Sequence, residues 1–202
     1  YYITLMNENY QHPAMPEGAE EGILKGMYLL RDGGKAKGAR VQLLGSGTIL
    51  REVVAAADLL LNDYGVISDV WSVPSFTELR REGLEVERWN MLHPTSAQRR
   101  SYVETCLGDR PGPAIAASDY IKAFADQIRP CMPKRYRVLG TDGFGRSDYR
   151  VRLRNFFEVD RYYVAIAALK SLADEESIPA ATVAAAIKKY GIDPEKPSPV
   201  TV

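Results

Sequence analysis

Short apolar segments alternate with amphipathic helical segments along most of this chain, and this alternation constrains its fold more than any other feature. The predicted strands are Val41–Leu44, Val66–Val73, Pro113–Ala117 and Tyr136–Leu139. Helical patterns separate them, and three more follow the last strand, near residues 149–157, 160–173 and 179–190. Strands that alternate with helices favour a largely parallel sheet covered on both faces. We therefore predict an α/β protein of three layers with extra C-terminal helices, whose ligands or partners meet the carboxyl ends of the strands.

Capping residues and periodicity predict the remaining helices. Ser75 stands three residues before Glu78, the spacing of a capping box, and favours a helix over Ser75–Arg88. Further helices are predicted at Glu17–Leu30, at Ser96–Leu107, and between a cap at Ser118 or Asp119 and Pro130.

The N-terminal part differs in character from the rest. Residues 1–6 have the pattern of a strand, and the polar segment after them contains Pro13 and Pro16, which disfavour regular structure. The glycine-rich turn Asp32–Gly38 then marks a boundary. We predict an interdomain strand, arm and helix over residues 1–38 and a compact domain over residues 39–202. Because Tyr1 is no initiator and no signal-peptide pattern follows it, we expect the chain to be a piece of a longer polypeptide.

Composition excludes several classes of protein. The 26 basic residues are balanced by 26 acidic residues, so no overall field attracts nucleic acid. No apolar run reaches the length of about 18 residues that a membrane span requires. Cys106 and Cys131 lack the spacing of a metal site or a disulfide framework, which indicates a reducing cytoplasm.

A glycine-containing loop follows the first of these strands at Gly45-Ser46-Gly47. A dinucleotide-binding fingerprint would need a glycine at the position of Leu50, and an acidic residue is missing where the next predicted strand ends at Val73. A helix N-terminus still offers amides to an anion. Anion or nucleotide binding and a simple strand-to-helix turn both remain open, and the turn is favoured.

A second glycine-rich segment, Gly140–Asp148, follows the last predicted strand. It holds three glycines within six residues, which indicates a sharp turn with positive φ angles. Such turns in α/β folds carry ligand contacts or subunit contacts. The alternative is a tight connection in which Phe144 is a buried peg.

The segment Glu87–Pro94 contains Trp89 and His93, one of only two histidines. General acid–base chemistry would need a carboxylate or a substrate proton within reach of His93. A hydrogen-bonded structural histidine is the favoured alternative, and Trp89 is interpreted as an interface or core anchor. The chain contains no nucleophile elbow, zinc-protease helix or phosphate-binding P-loop motif.

Long ungapped strings of this chain resemble the C-terminal region of the homodimeric bacterial pyruvate dehydrogenases (acetyl-transferring), in the transketolase-like superfamily. The strings are Asn7–Tyr10, Pro13–Gly18, Val41–Gly47, Ser75–Leu79, Glu87–Pro94 and Arg137–Asp148. The resemblance extends from end to end, and it implies the fold of a transketolase C-terminal domain.

The resemblance also implies a function. Enzymes of this family decarboxylate pyruvate on thiamine diphosphate with magnesium and then reductively acetylate a lipoyl group of the dihydrolipoyl acetyltransferase component. Their cofactor motifs belong to two preceding thiamine-binding domains and do not stand in this sequence. The resemblance thus implies no catalytic, cofactor-binding or metal residue here, no cofactor in this piece, and no activity of the piece alone.

The implied partners are the preceding domains of the same chain, the second subunit of a homodimer and the acetyltransferase, in the cytoplasm, with no nucleic acid and no membrane. The candidate interdomain or dimer contacts are Trp89, His93, Asp142, Phe144, Arg146 and Asp148. Two alternatives stay open: a free-standing α/β module that binds an anion or nucleotide, and a transketolase-like enzyme acting on sugar phosphates.

Overall fold

The structure, a computed structural model, describes residues 8–11 and 14–202. The predicted strand over residues 1–6 lies outside them. The strands are β1 (Tyr28–Arg31), β2 (Arg40–Gly45), β3 (Ile67–Ser72), β4 (Ala114–Ala117) and β5 (Tyr136–Leu139). The α-helices are α1 (Glu20–Lys25), α2 (Leu50–Tyr64), α3 (Phe76–Leu92), α4 (Tyr102–Leu107), α5 (Lys122–Asp126), α6 (Arg150–Phe156), α7 (Arg161–Asp174) and α8 (Ala180–Lys189). Short 3₁₀ turns occupy Gly47–Ile49 and Arg129–Cys131.

The strands form one five-stranded sheet in the order β1-β3-β2-β4-β5. Strands β2, β3, β4 and β5 run parallel to one another, and β1 pairs antiparallel with β3 at one edge of the sheet. The chain runs from β2 to β3 on one side and later returns to place β4 on the other side of β2. The strand order therefore reverses between β2 and β4, which opens a crevice at the carboxyl ends of these two strands.

Two apolar cores cover the two faces of the sheet, as the predicted three-layer fold requires. One core joins the sheet to α2, α7 and α8 through side chains such as Leu43, Leu60 and Leu169. The other joins it to α3, α4 and α5 through side chains such as Leu44, Leu79 and Leu107. Because α2 and α5 lie on opposite faces, the loops that lead into them diverge from the crevice between β2 and β4.

A buried polar cluster joins β2 to β3 within the second core. Asp69 accepts hydrogen bonds from the Gly33 amide, from Arg40 and from Gln42, whose amide oxygen accepts from the Trp71 indole. Burial opposes ionisation of Asp69, but these donors outweigh it, so the pKa of the Asp69 carboxyl is lowered from its ordinary value. A buried carboxylate needs such partners, and here it fixes the register of the two strands.

Two predicted helices are wrong in part. The helix predicted over Glu17–Leu30 ends at Lys25, because Gly26 adopts a left-handed φ of 100° and closes the helix with a hydrogen bond to the Ile23 carbonyl. Residues 28–31 then join the sheet as β1. The helix predicted over Ser96–Leu107 begins only at Tyr102, where Ser101 and Glu104 form a capping box.

The predicted cap of α5 is also wrong. Neither Ser118 nor Asp119 caps this helix, and its N-cap position is Ile121. The amide of Lys122 instead donates to Oδ1 of Asp142, 2.9 Å away and 20 residues later in the sequence. A cap supplied from the turn after β5 has no local sequence signal.

The other elements agree with the predicted ones to within a few residues. Ser75 caps α3 by accepting a hydrogen bond from the Glu78 amide, as its spacing indicates, and α3 extends to Leu92. The boundary between residues 38 and 39 stays a prediction, and the sheet extends across it through β1. No helix in residues 8–11 and 14–202 is long and apolar enough to cross a membrane.

Candidate functional site

Three loops meet at the crevice between β2 and β4. The loop after β2 brings Thr48, the loop after β4 brings Asp119, and the glycine turn (residues 140–148) follows β5. The Thr48 hydroxyl lies 3.4 Å from Oδ2 of Asp119, and the Thr141 hydroxyl donates to the Asp119 carbonyl at 2.6 Å. The loops are therefore bonded to one another.

Glycines let the turn approach its neighbours closely. A Cβ at Gly140 would lie 2.7 Å from the backbone of Tyr120 and of Lys122. Gly143 has a φ of 100°, and a Cβ there would lie 2.2 Å from the carbonyl oxygen of Pro199. The glycine turn is thus held between the loop after β4 and the C-terminal segment, and these two positions need glycine.

A cavity of about 290 Å³ lies where the loops meet, and we call it the switch-point cavity. Its lining residues are Thr48, Ile49, Asp119, Thr141, Gly143, Gly145, Arg146, Arg150, Leu153, Arg154, Phe157 and Val159. The lining combines an apolar surface with two hydroxyls, a carboxylate and three guanidinium groups. This combination is typical of a site for a small polar ligand.

Buried Glu52 of α2 fixes the helices behind the cavity. Its carboxylate accepts hydrogen bonds from Arg154 of α6 at 3.0 Å and from Arg161 of α7 at 2.9 Å. Burial opposes ionisation of Glu52, but the two arginines outweigh it and lower the pKa of its carboxyl. Tyr10 also accepts a hydrogen bond from Arg154, which anchors this part of the arm to α6.

Large apolar side chains near the end of the turn are exposed. Phe144 is 80% exposed, Tyr149 82% and Val151 77%. The alternative of Phe144 as a buried peg is therefore wrong. Exposed apolar side chains of this size are typical of surfaces that bind protein, membrane or ligand.

The other three candidate contacts in the glycine turn differ from Phe144 in their surroundings. Asp142 faces inward, where it caps α5 and lies 3.8 Å from the Lys122 ammonium. Arg146 lines the switch-point cavity, and its guanidinium lies over the Phe156 ring at 5.2 Å. Asp148 accepts a hydrogen bond from the Tyr149 amide and is exposed.

Trp89 and His93 stack on each other at the end of α3. Their ring centroids are 4.3 Å apart, and the Arg99 guanidinium lies 3.8 Å from the Trp89 ring centroid. Nδ1 of His93 is 2.8 Å from the Trp89 carbonyl. Asn90 exchanges two hydrogen bonds with the Arg99 backbone, so residues 89–99 form a rigid projection, which we call the Trp89 knuckle.

The Trp89 knuckle presents further apolar surface. Met91 is 70% exposed and Leu92 52%, and residues 91–100 are exposed throughout. In the described part of the chain, no hydrogen bond, ion pair or ring contact joins the knuckle to the glycine turn. The six candidate contacts thus fall into two separate groups, and their contact role stays a prediction.

Sequence reasoning found the glycine turn with Arg146 but missed the residues that the other two loops and α6 bring to the switch-point cavity. Thr48 and Asp119 follow the carboxyl ends of adjacent strands, which is a signal for a shared site, but the strand order was needed to pair them. Arg150 and Arg154 stand one helical turn apart on α6, and the sequence does not show which way that face points.

In residues 8–11 and 14–202, no group of three or more histidine, cysteine, aspartate or glutamate side chains lies close enough together to hold a metal ion.

Comparison with known proteins identifies the family. The family model of the transketolase-like C-terminal domain matches residues 26–160. This match includes the sheet, the switch-point cavity up to Val159 and the Trp89 knuckle.

Pyruvate dehydrogenase E1 components are similar to the chain over almost its whole length. The chain is 66% identical to that of Pseudomonas aeruginosa over 201 residues, which are 99% of this chain and 23% of that protein. It is 63% identical to that of Cupriavidus necator over 203 residues, and 57% identical to that of Escherichia coli over 200. The chain thus spans about a quarter of the length of these relatives.

Solved transketolases share the fold. The transketolase of Campylobacter jejuni superposes with a TM-score of 0.50 and 20% identity, over 79% of this chain and 20% of that one. That of Leishmania mexicana gives 0.50 and 17% identity, over 76% and 19%. With the family match and the parallel sheet, these findings show that the chain belongs to the transketolase-like C-terminal domain family and corresponds to part of a pyruvate dehydrogenase E1 component.

Proposed function

We propose that this chain is the non-catalytic C-terminal domain of a thiamine diphosphate-dependent pyruvate dehydrogenase, and that it serves dimerisation and active-site support. The identity of 66% to a pyruvate dehydrogenase E1 component, across 99% of the chain, carries this proposal. In this account the whole enzyme decarboxylates pyruvate and reductively acetylates the lipoyl groups of an acetyltransferase in the cytoplasm. Its thiamine diphosphate and magnesium bind to other domains of the polypeptide.

The exposed apolar side chains of this chain argue for its proposed role in dimerisation and active-site support. Phe144 and Met91 are exposed by 80% and 70% on two projecting segments, the glycine turn and the Trp89 knuckle. Burying such side chains against neighbouring polypeptide is favourable by about 1.5–3 kcal/mol each. The Gly140 and Gly143 contacts hold the glycine turn in one shape, which reduces the entropy cost of forming an interface.

The contacts divide by role in this proposal. Phe144 and Trp89 supply apolar area, and His93 orders the Trp89 ring by stacking on it. Asp142 positions the turn by capping α5, and Asp148 and Arg146 supply polar contacts around Phe144. The sugar-phosphate alternative is disfavoured because the transketolases share only 20% and 17% identity with this chain.

Replacement of Phe144 tests the proposal in the full-length enzyme. We expect Phe144→Ala to weaken subunit association by about tenfold or more, because a buried aromatic anchor contributes about 2 kcal/mol or more. The matched control is Leu24→Ala, since Leu24 on α1 is 79% exposed and is not among the predicted contacts. Analytical ultracentrifugation and the rate of pyruvate decarboxylation give the two readouts.

Each outcome has a definite meaning. A Phe144 variant that dissociates at higher concentration than wild type and loses activity in parallel supports the proposal. If both variants keep wild-type association and wild-type activity, the glycine turn is no interface and the supporting role assigned to it is wrong.

A further inference from the structure

Of the three guanidinium groups of the switch-point cavity, Arg146 is the one that no acidic side chain of the described residues neutralises. Arg154 is paired with buried Glu52 at 3.0 Å, and Arg150 is paired with Glu8. Arg146 forms no ion pair with any acidic side chain in residues 8–11 and 14–202, and its guanidinium contacts only the face of the Phe156 ring at 5.2 Å. A guanidinium on a cavity wall presents a fork of donors that matches the geometry of a carboxylate or a phosphate.

Asp119 supplies a carboxylate on the wall of the same cavity. This side chain is only partly exposed, and among the residues that the structure describes its carboxylate accepts one hydrogen bond, the 3.4 Å contact from the Thr48 hydroxyl. An ionised carboxylate has about four acceptor positions, so most of those of Asp119 are open to a ligand. The shape of the loop holds the group in place, because the Thr141 hydroxyl donates to the Asp119 carbonyl at 2.6 Å.

The size and the lining of the cavity restrict the class of ligand. Its volume of about 290 Å³ is near the lower end of the range for ligand pockets, roughly 300–1,000 Å³, and is small for a dinucleotide. Ile49, Leu153 and Phe157 form an apolar surface between the polar groups. The ligand therefore has a short carbon skeleton, one anionic group and hydroxyl donors.

We propose that the switch-point cavity binds a small hydroxylated organic anion, with its carboxylate or phosphate group on Arg146 and a hydroxyl on Asp119. The location agrees with the strand order, because ligands of open α/β sheets bind outside the carboxyl ends of the strands where that order reverses. This site goes beyond the supporting role proposed above and does not depend on it.

Calorimetric titration of the full-length protein that carries this chain tests the site. The probes are D-glycerate, sn-glycerol 3-phosphate and glycerol, which share a three-carbon hydroxylated skeleton and differ in the anionic group. We expect one or both anions to bind with a stoichiometry of one per chain and glycerol not to bind. The stronger of the two anions identifies the carboxylate or the phosphate as the recognised group.

Variants then assign the binding to the cavity. Arg146→Gln should weaken binding of the anion by about tenfold or more, because it removes a charge-assisted hydrogen bond. Asp119→Ala should also weaken it several-fold, while it leaves the glycine turn unchanged. Arg152→Gln is the matched control, since Arg152 is an exposed arginine of α6 that does not line this cavity, and it should change affinity by less than about twofold.

The titrations can overturn the proposal in three ways. Absence of binding by both anions up to their solubility would do so. Equal binding of glycerol would show that Arg146 has no role, and equal weakening by Arg146→Gln and Arg152→Gln would indicate diffuse attraction to basic residues. If Arg146→Gln alters subunit association, titration of the Asp119→Ala variant shows instead whether the anion binds in this cavity. Wild-type affinity in that variant contradicts the site.

Discussion

At the scale of single residues, the backbone conformation and its close contacts determine which positions of the glycine turn tolerate a side chain. Gly143 and Gly145 stand two residues apart in the same turn but differ in their surroundings. Gly143 has a φ of 100° and contacts Pro199, whereas a Cβ at Gly145 would have no atom within 4 Å. The same substitution should therefore cost much more stability at Gly143 than at Gly145.

We expect Gly143→Ala to lower the free energy of unfolding by about 2–4 kcal/mol, since it combines a strained φ with a clash against backbone. Gly145→Ala should change it by less than about 0.5 kcal/mol. Urea unfolding of the purified variants measures both values. Equal stability of the two variants would show that the C-terminal segment does not pack on the turn.

Asp69 is one of the buried residues that make stability depend on pH. Its pKa is lowered in the folded state, so its contribution is fully present above the unfolded pKa of about 4 and is lost as the pH falls through the folded value. Glu52, whose pKa is also lowered, contributes with the same sign. The protein should therefore lose stability on acidification below about pH 4.5.

We expect Asp69→Asn to destabilise the fold by about 3 kcal/mol at pH 7 and by less at pH 3, because pH 3 lies below the unfolded pKa of about 4 and part of the stabilisation by the wild-type carboxylate is lost there. The control is Asp58→Asn, because Asp58 pairs with Arg31 at an exposed site and exposed pairs contribute less than about 1 kcal/mol. Urea unfolding at several pH values measures how the free energy of unfolding of each variant changes with pH. A parallel loss at both pH values in Asp69→Asn would mean that its ionisation does not stabilise the fold.

At the scale of elements, Glu52 connects α2 to two helices whose arginines lie 102 and 109 residues later in the sequence. Its carboxylate on α2 bonds Arg154 of α6 and Arg161 of α7, and α6 carries one wall of the switch-point cavity. Asp63 on the same α2 pairs with Lys189 of α8 near the surface. Buried and exposed ion pairs on one helix can thus be compared directly.

Glu52→Ala should leave two guanidinium groups without their partner and reduce stability by about 3–5 kcal/mol. Asp63→Ala should reduce stability far less, because its ion pair with Lys189 lies near the surface, where solvent screens it. Hydrogen exchange should show faster exchange in α6 in the first variant only. Unchanged protection of α6 in Glu52→Ala would exclude Glu52 as the group that fixes this helix.

The elements also show how far sequence reasoning reached. Strand β5 was predicted with its observed bounds, because its apolar run ends at a glycine-rich turn. Met27 and Leu30 fit a helical stripe, so the sequence predicts a helix where the structure has β1. The left-handed conformation of Gly26, which ends the helix, has no distinct signal in the sequence. The cap of α5 by Asp142 and the pairing of Asp119 with Thr48 arise between distant segments, which local patterns do not encode.

At the scale of the whole molecule, helices cover both faces of the sheet, whereas two loop segments keep an exposed apolar surface. Both apolar cores are closed by helices, so the domain has the interior that a folded unit requires. The glycine turn and the Trp89 knuckle leave large apolar side chains exposed. Because the chain spans about a quarter of its relatives, we infer that the rest of the polypeptide and a second subunit cover these segments.

We propose that this chain supports an enzyme whose chemistry resides in other domains. Thiamine diphosphate-dependent release of CO₂ from pyruvate should be measured for three polypeptides: the full-length protein, the same protein without this chain, and the chain of 202 residues alone. We expect turnover by the full-length protein, a loss of most of it without the chain, and none by the chain alone. Turnover by the chain alone, or unchanged turnover without it, would show that the proposed supporting role is wrong.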